Sequence, residues 1–104
     1  MGYMASCNGN IEFCDYEKAQ EFVSYAKNRI CYSFYVHDCD TIVVICGTEC
    51  YHENFWAEIL DKYKNLICSG TIEFFGEDNT FWRFVVRNGN WHKERGQITW
   101  SPVQ

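Results

Sequence analysis

Apolar positions along the chain switch between two periods, and the switches mark the elements. Ile11 and Phe13 alternate with Asn10, Glu12 and Cys14, which predicts a turn and a short strand over residues 8–14. Asp15 then stands at a helix N-cap, with Glu17 in the first turn. Ala19, Phe22, Val23, Ala26 and Ile30 follow at intervals of three and four, one apolar stripe on a helix of about 13 residues. Residues 31–37 are rich in aromatic and β-branched side chains and predict a second strand. Asp38-Cys39-Asp40 makes a tight hairpin connection into a third strand at 41–46. Its run Ile42-Val43-Val44-Ile45 lacks alternation, which predicts burial on both faces and a central place in the sheet. Gly47-Thr48-Glu49 is expected to break that strand. Phe55, Trp56, Ile59, Leu60 and Tyr63 give a second helical stripe over residues 53–64, with Thr48 as the candidate for an early cap.

The last third returns to period two. Residues 70–75 predict a strand, Glu77-Asp78-Asn79 a turn, and residues 81–87 another strand. Asn88-Gly89 is the strongest hairpin signal in the chain, because both residues tolerate positive φ. Residues 90–95 and 97–100 complete the final strand. A two-residue turn at Asn88-Gly89 sets Val86 against Trp91, Phe84 against Lys93 and Trp82 against Arg95. The face carrying Trp82, Phe84, Val86 and Trp91 should pack inward, with the stems of Lys93 and Arg95 over the rings. Arg83 then pairs with Glu94, and Val85 with His92, on the other surface. The order β-α-β-β-α-β-β-β predicts an α+β domain spanning 1–104. Its expected architecture is a ferredoxin-like split βαβ unit: an antiparallel sheet with two helices on one face, extended by a C-terminal hairpin. No linker, repeat or low-complexity stretch interrupts it.

Charge narrows the partners. Fourteen acidic residues oppose nine basic ones, for a net charge of −5. The bases lean toward Arg83, Arg87, Lys93 and Arg95, but Glu73, Glu77, Asp78 and Glu94 lie among or near them. That mixture argues against direct nucleic-acid binding. The acids are scattered rather than massed on one face, which also weakens mimicry of nucleic acid. No apolar run reaches the length of a membrane span. Met1-Gly2-Tyr3-Met4-Ala5-Ser6 fits a loose myristoylation form, but Tyr3 is bulky and no polybasic second signal follows, so the segment reads as a tail leading into a strand. No secretory leader is visible, and a cytoplasmic, reducing setting is expected. The seven cysteines show no repeated spacing; Cys14, Cys31, Cys46 and Cys68 sit beside apolar neighbours and are expected as small hydrophobes.

Strong catalytic motifs are missing: no phosphate-binding glycine loop, zinc-protease helix or nucleophile elbow occurs. Cys46, Cys50 and His52, with His37 and Cys39 nearby, form the best metal candidate, but a structural site wants a second matched pair. Cys46 ends a predicted core strand and is expected to point inward, so ordinary thiols are the default. A cysteine nucleophile with His37, His52 or His92 as base, oriented by Asp38 or Asp40, has no spacing to support it. Glu73, Glu77 and Asp78 beside Arg83 offer paired carboxylates, though the turn reads more simply as a solvated loop. No cofactor is implied.

The aromatic residues carry more information. Of eight Phe, seven Tyr and four Trp, ten fall at plausible core positions in the first two-thirds, and the excess is concentrated in Phe74, Phe75, Phe81, Trp82, Phe84, Trp91 and Trp100. Four residues on one face can fill a core, which leaves Phe75, Phe81 and Trp100 over near edges or on the open face. With Glu77, Asp78 and Arg83 they make the candidate binding surface. Such rings can stack bases or anchor a protein, and the charge favours a protein, self-association through the terminal strand included.

The segment Gly70-x-Ile72-x-Phe74-Phe75-Gly76-Glu77-Asp78-x-x-x-Trp82-Arg83-Phe84, then Gly89-x-Trp91-x-x-x-x-Gly96-x-Ile98, resembles a pattern in small ferredoxin-like proteins of bacteriophages and mobile elements. Met1-Gly2-Tyr3 and Gly9-x-Ile11-x-Phe13 are similar too. The resemblance implies the fold, and by association an anti-defence role such as CRISPR inhibition; it transfers no functional residue. The expectation is a small non-catalytic protein that blocks a host protein or complex by stoichiometric binding. A nucleotide sponge or sensor is the alternative, and a minor enzyme using a Cys/His or carboxylate pair the third.

Overall fold

In the computed structural model, which describes residues 2–96, the first strand is longer than its apolar alternation predicts. β1 (Met4–Phe13) buries Ala5, Cys7, Ile11 and Phe13 and turns Ser6, Asn8, Asn10 and Glu12 to solvent. Ala5 and Cys7 are too small to stand out as a pattern, so the strand's first half does not announce itself. α1 (Tyr16–Lys27) starts as read, with the Asp15 carboxylate accepting from the Lys18 amide at 2.8 Å. It buries Ala19, Phe22, Val23 and Ala26. β2 (Ser33–Val36) is short, and Cys39 takes a positive φ of 62° in the turn that follows.

β3 (Ile42–Cys50) corrects two expectations. Gly47-Thr48-Glu49 does not break it; Gly47 adopts φ 129° and the strand continues, with Thr48 opposite Ser6 and Glu49 opposite Ala5. Pairing with β1 outweighs the local break signal, as tertiary context commonly does in strands. Nor is β3 buried on both faces. Val43 and Ile45 are inside, but Ile42 is 40% exposed and Val44 half-buried, because only one face of the sheet is covered.

α2 (Glu53–Tyr63) follows His52, which sits at the N-cap without a side-chain hydrogen bond; Thr48 lies inside β3 and is not the cap. It buries Trp56, Ile59, Leu60 and Tyr63. A 3-10 turn (Lys64–Leu66) leads into β4 (Ile67–Gly76), then β5 (Phe81–Arg87) and β6 (Asn90–Gly96). Asn88 (φ 55°) and Gly89 (φ 77°) close the last hairpin. Its register is the expected one: Val86 opposite Trp91, Phe84 opposite Lys93, Trp82 opposite Arg95, Arg83 opposite Glu94 and Val85 opposite His92. The expected continuation through residues 97–100 lies outside the described residues.

The strands form one open six-stranded antiparallel sheet in the order β2-β3-β1-β4-β5-β6, and the fold is α+β. Both helices cover the same face: Phe13 of β1 packs its ring against Phe22 of α1 at 5.1 Å and Tyr63 of α2 at 6.3 Å. Trp56 is fully buried, with Phe74 at 5.1 Å, Tyr32 at 5.8 Å and Phe34 at 6.0 Å from its ring. Burying each such side chain contributes roughly 1.5–3 kcal/mol, so this layer dominates stability. β6 is fastened to α2 by two polar contacts. The Trp91 indole donates to Asp61 at 2.7 Å, and Lys93 reaches Glu53 at 2.9 Å while its ammonium lies 5.7 Å from the Trp82 ring. Among the described residues, no helix is long and apolar enough to cross a membrane.

Candidate functional site

The uncovered face of the sheet is a grid of side chains fixed by strand register. One row runs Cys46, Asn8, Glu73, Arg83, Glu94 from β3 across β1, β4 and β5 to β6. The row beside it runs Thr48, Ser6, Phe75, Phe81, Gly96. In the first row Arg83 is bracketed by carboxylates: its Nε donates to Glu94 at 2.6 Å, and an Nη lies 4.0 Å from Glu73. His92 meets the other oxygen of Glu94 at 2.9 Å. Hydrogen bonds from His92 and then Arg83 hold the Glu94 carboxyl below the usual range. At neutral pH it is therefore an acceptor, not a proton donor. In the second row the Phe75 and Phe81 rings meet edge to face at 4.6 Å, with Phe75 44% exposed. Ser6 and Thr48 hydroxyls hydrogen-bond at 2.9 Å beyond them.

These rows line a hollow of about 580 Å³ bounded by Ser6, Asn8, Glu73, Phe75, Phe81 and Arg83. A second hollow of about 500 Å³ shares Asn8, Glu73 and Arg83 and extends to Thr71 and Arg87. Together they form a trough along the open face, apolar at one end and polar at the other. That combination suits recognition: rings to anchor a partner, and a row of oriented donors and acceptors to set its register.

Of the residues singled out from sequence, Phe75, Phe81 and Arg83 are brought together in this trough. Glu77 and Asp78 are not. They lie in the β4–β5 turn and strap it to the N-terminal segment. The Met4 amide donates to the Glu77 carboxylate at 3.2 Å, the Glu77 amide donates to the Met4 carbonyl at 3.0 Å, and the Tyr3 hydroxyl donates to Asp78. The Tyr3 bond, with further bonds from Thr80, keeps the Asp78 carboxyl below its ordinary range. A Cβ at Gly76 would collide with the Tyr3 ring, so the strap needs glycine there. Trp100 lies outside the described residues.

The cysteine expectations are corrected. Cys14, Cys31, Cys46 and Cys68 are exposed, and only Cys7 is buried, its thiol pushed up to about 12 by desolvation. Cys46 does not point inward; it lies on the open face, because the one-residue alternation of β3 sets it opposite Val43 and Ile45. Cys50 contacts the Met4 sulfur at 3.6 Å, and His52 stands at the α2 N-cap. Among the described residues, no three His, Cys, Asp or Glu side chains converge where they could hold a metal. The thiol contacts found are Cys14–Cys68 and Cys50–Met4, and the ring-nitrogen contact is His92–Glu94.

Sequence reasoning missed Ser6 and Asn8 as trough residues. Their signal was the strict polar spacing Ser6, Asn8, Asn10, Glu12, visible only once the strand is extended back to Met4. Comparison with protein-family models, with curated proteins and with solved structures finds no match.

Proposed function

We propose that this chain is a non-catalytic binding protein that acts by occupying a macromolecular partner through the open face of its sheet. The observation that carries the reading is the exposed Phe75 ring, paired with the half-buried Phe81 and set beside the Glu73–Arg83–Glu94 row. Aromatic anchors next to an oriented arginine are the residue types that dominate protein interfaces. The net charge of −5 favours a protein or protein complex over nucleic acid. The framework in this reading is a ferredoxin-like split βαβ unit, supported by the order β2-β3-β1-β4 inside the larger sheet, with β5 and β6 added at the β4 edge. It acts in the cytoplasm, a setting supported by seven unpaired cysteines. The sequence resemblance to phage and mobile-element proteins makes a host defence protein the first partner to test.

Tagged wild-type protein and the Phe75→Ala/Phe81→Ala double variant are compared by capture from lysate, with native mass spectrometry of both. The expected result is one macromolecule retained in fixed stoichiometry by the wild type and lost by the variant. Equal capture by both moves the interface off the trough. A nucleotide carried through purification, with no macromolecule retained, replaces the reading with a ligand sponge.

A further inference from the structure

A second site lies at the far end of the same sheet face, away from the phenylalanine pair. Cys14 and Cys68 are both exposed, and their sulfurs are 3.6 Å apart, the one thiol–thiol hydrogen bond among the described residues. Their approach is built by the backbone. Between β1 and β4 the register shifts: Glu12 faces Ser69 while Phe13 faces Ile67, which leaves Cys68 as the extra residue of a bulge. Just past it the Cys14 amide donates to the Leu66 carbonyl at 3.0 Å, anchoring the second cysteine to the same strand entry. Bulges re-aim side chains, and this one aims one thiol at another. Cys31, Cys39 and Cys46 are also exposed but have no thiol neighbour of this kind.

We propose that Cys14 and Cys68 are a redox-active dithiol that exchanges with low-molecular-weight disulfides to form an intramolecular disulfide. One cysteine thiolate attacks the external disulfide, forming a mixed disulfide and expelling one small thiol. The other thiolate then attacks the protein sulfur of that mixed disulfide, forming the Cys14–Cys68 bond and expelling the second small thiol. The protein dithiol loses two electrons and two protons, and the external disulfide takes up both. The second step is intramolecular with its sulfurs already in contact, so the pair closes where an isolated cysteine stops at the adduct. The remaining movement, from 3.6 Å to a bond of about 2 Å, lies within reach of side-chain rotation at two exposed positions. The Cys14 hydrogen bond, then desolvation and the charges of Cys14 and Glu12, raise the Cys68 thiol above its ordinary value.

The test uses the full chain in a series of reduced and oxidised glutathione mixtures, quenched by alkylation and read by intact mass and peptide mapping. The expected first product has lost two hydrogens, with Cys14 and Cys68 joined and protected while Cys31, Cys39 and Cys46 remain alkylatable. Cys14→Ser and Cys68→Ser each abolish that product and leave a glutathione adduct on the surviving partner. The proposal is overturned if wild-type Cys14 and Cys68 accumulate separate adducts, if the first link joins another pair, or if both stay alkylatable across the series. The wild-type reading needs no variant, so a folding defect in either serine variant leaves the test intact. Partner capture through Phe75 and Phe81 is scored separately and stands or falls without it.

Discussion

At the scale of single residues, burial separates side chains that hold the fold from those that face outward. Trp56 has no exposed surface and packs against the rings of Phe55 in α2, Phe74 in β4, Phe34 in β2 and Tyr32 just before it. Trp56→Ala is expected to cost about 3–5 kcal/mol in urea unfolding. Phe75→Ala, on the open face, should shift stability by no more than about 0.5 kcal/mol while weakening partner capture. The Arg83–Glu94 bond is short but exposed on both sides, so Arg83→Ala should cost at most about 1 kcal/mol. Three carboxyls are held below their ordinary values. Asp78 is held by Tyr3 and Thr80, and Glu94 by His92 and Arg83. For Glu53, burial works to raise the carboxyl, but hydrogen bonds from Tyr51 and Lys93 and the Lys93 charge outweigh it. A depressed carboxyl stabilises the folded state above its unfolded value and loses that contribution as pH falls through its folded value. The urea midpoint should therefore drop as pH is lowered below about 4, and Asp78→Asn should flatten part of the drop. The arginine pairing was legible in sequence because a two-residue turn fixes its partner. The cysteines were not, since apolar neighbours along the chain say nothing about which face of a strand a thiol takes.

At the scale of elements, turns and close approaches decide what the pattern of side chains cannot. Gly89 holds φ 77° in the last hairpin, and Gly89→Ala is expected to cost about 1–2 kcal/mol by denaturant unfolding. Gly70 has an ordinary φ but no room: a Cβ there would meet Ile11 Cα at 2.8 Å and the Asn10 carbonyl at 2.9 Å. Gly70→Ala must part β1 from β4 and should destabilise more than Gly89→Ala. A Cys14–Cys68 bond would close a loop of roughly 50 residues, and the chain-entropy argument gives up to about 4 kcal/mol in favour of the oxidised form. Oxidised and reduced protein compared in one urea series would measure it. The Asn88-Gly89 hairpin and the α1 cap at Asp15 were legible because their signals are local. The length of β1 and the passage of β3 through Gly47 were not. Both depend on pairing between strands far apart in sequence, and each local segment read alone favours a stop.

At the scale of the molecule, the asymmetry of the sheet is the main fact. Two helices cover one face, and the other presents the Phe75–Phe81 pair and the Cys14–Cys68 pair at opposite ends. The two helices and their stripes were readable from periodicity. The Phe75, Phe81, Arg83 and Glu94 side of the trough was readable too, but Ser6 and Asn8 were not, since no local motif sets β1 beside β4. β1 sits between β3 and β4, so the first strand made lies in the interior of the finished sheet. Its strand pairings are all long-range, which favours slow folding for a chain of this size. During synthesis β1 leaves the ribosome with neither neighbour in existence, and its second partner is complete only at Gly76. At about 5–20 residues per second that interval is roughly 3–13 s, during which the donors and acceptors on the strand's β4 side stand open to any extended segment nearby.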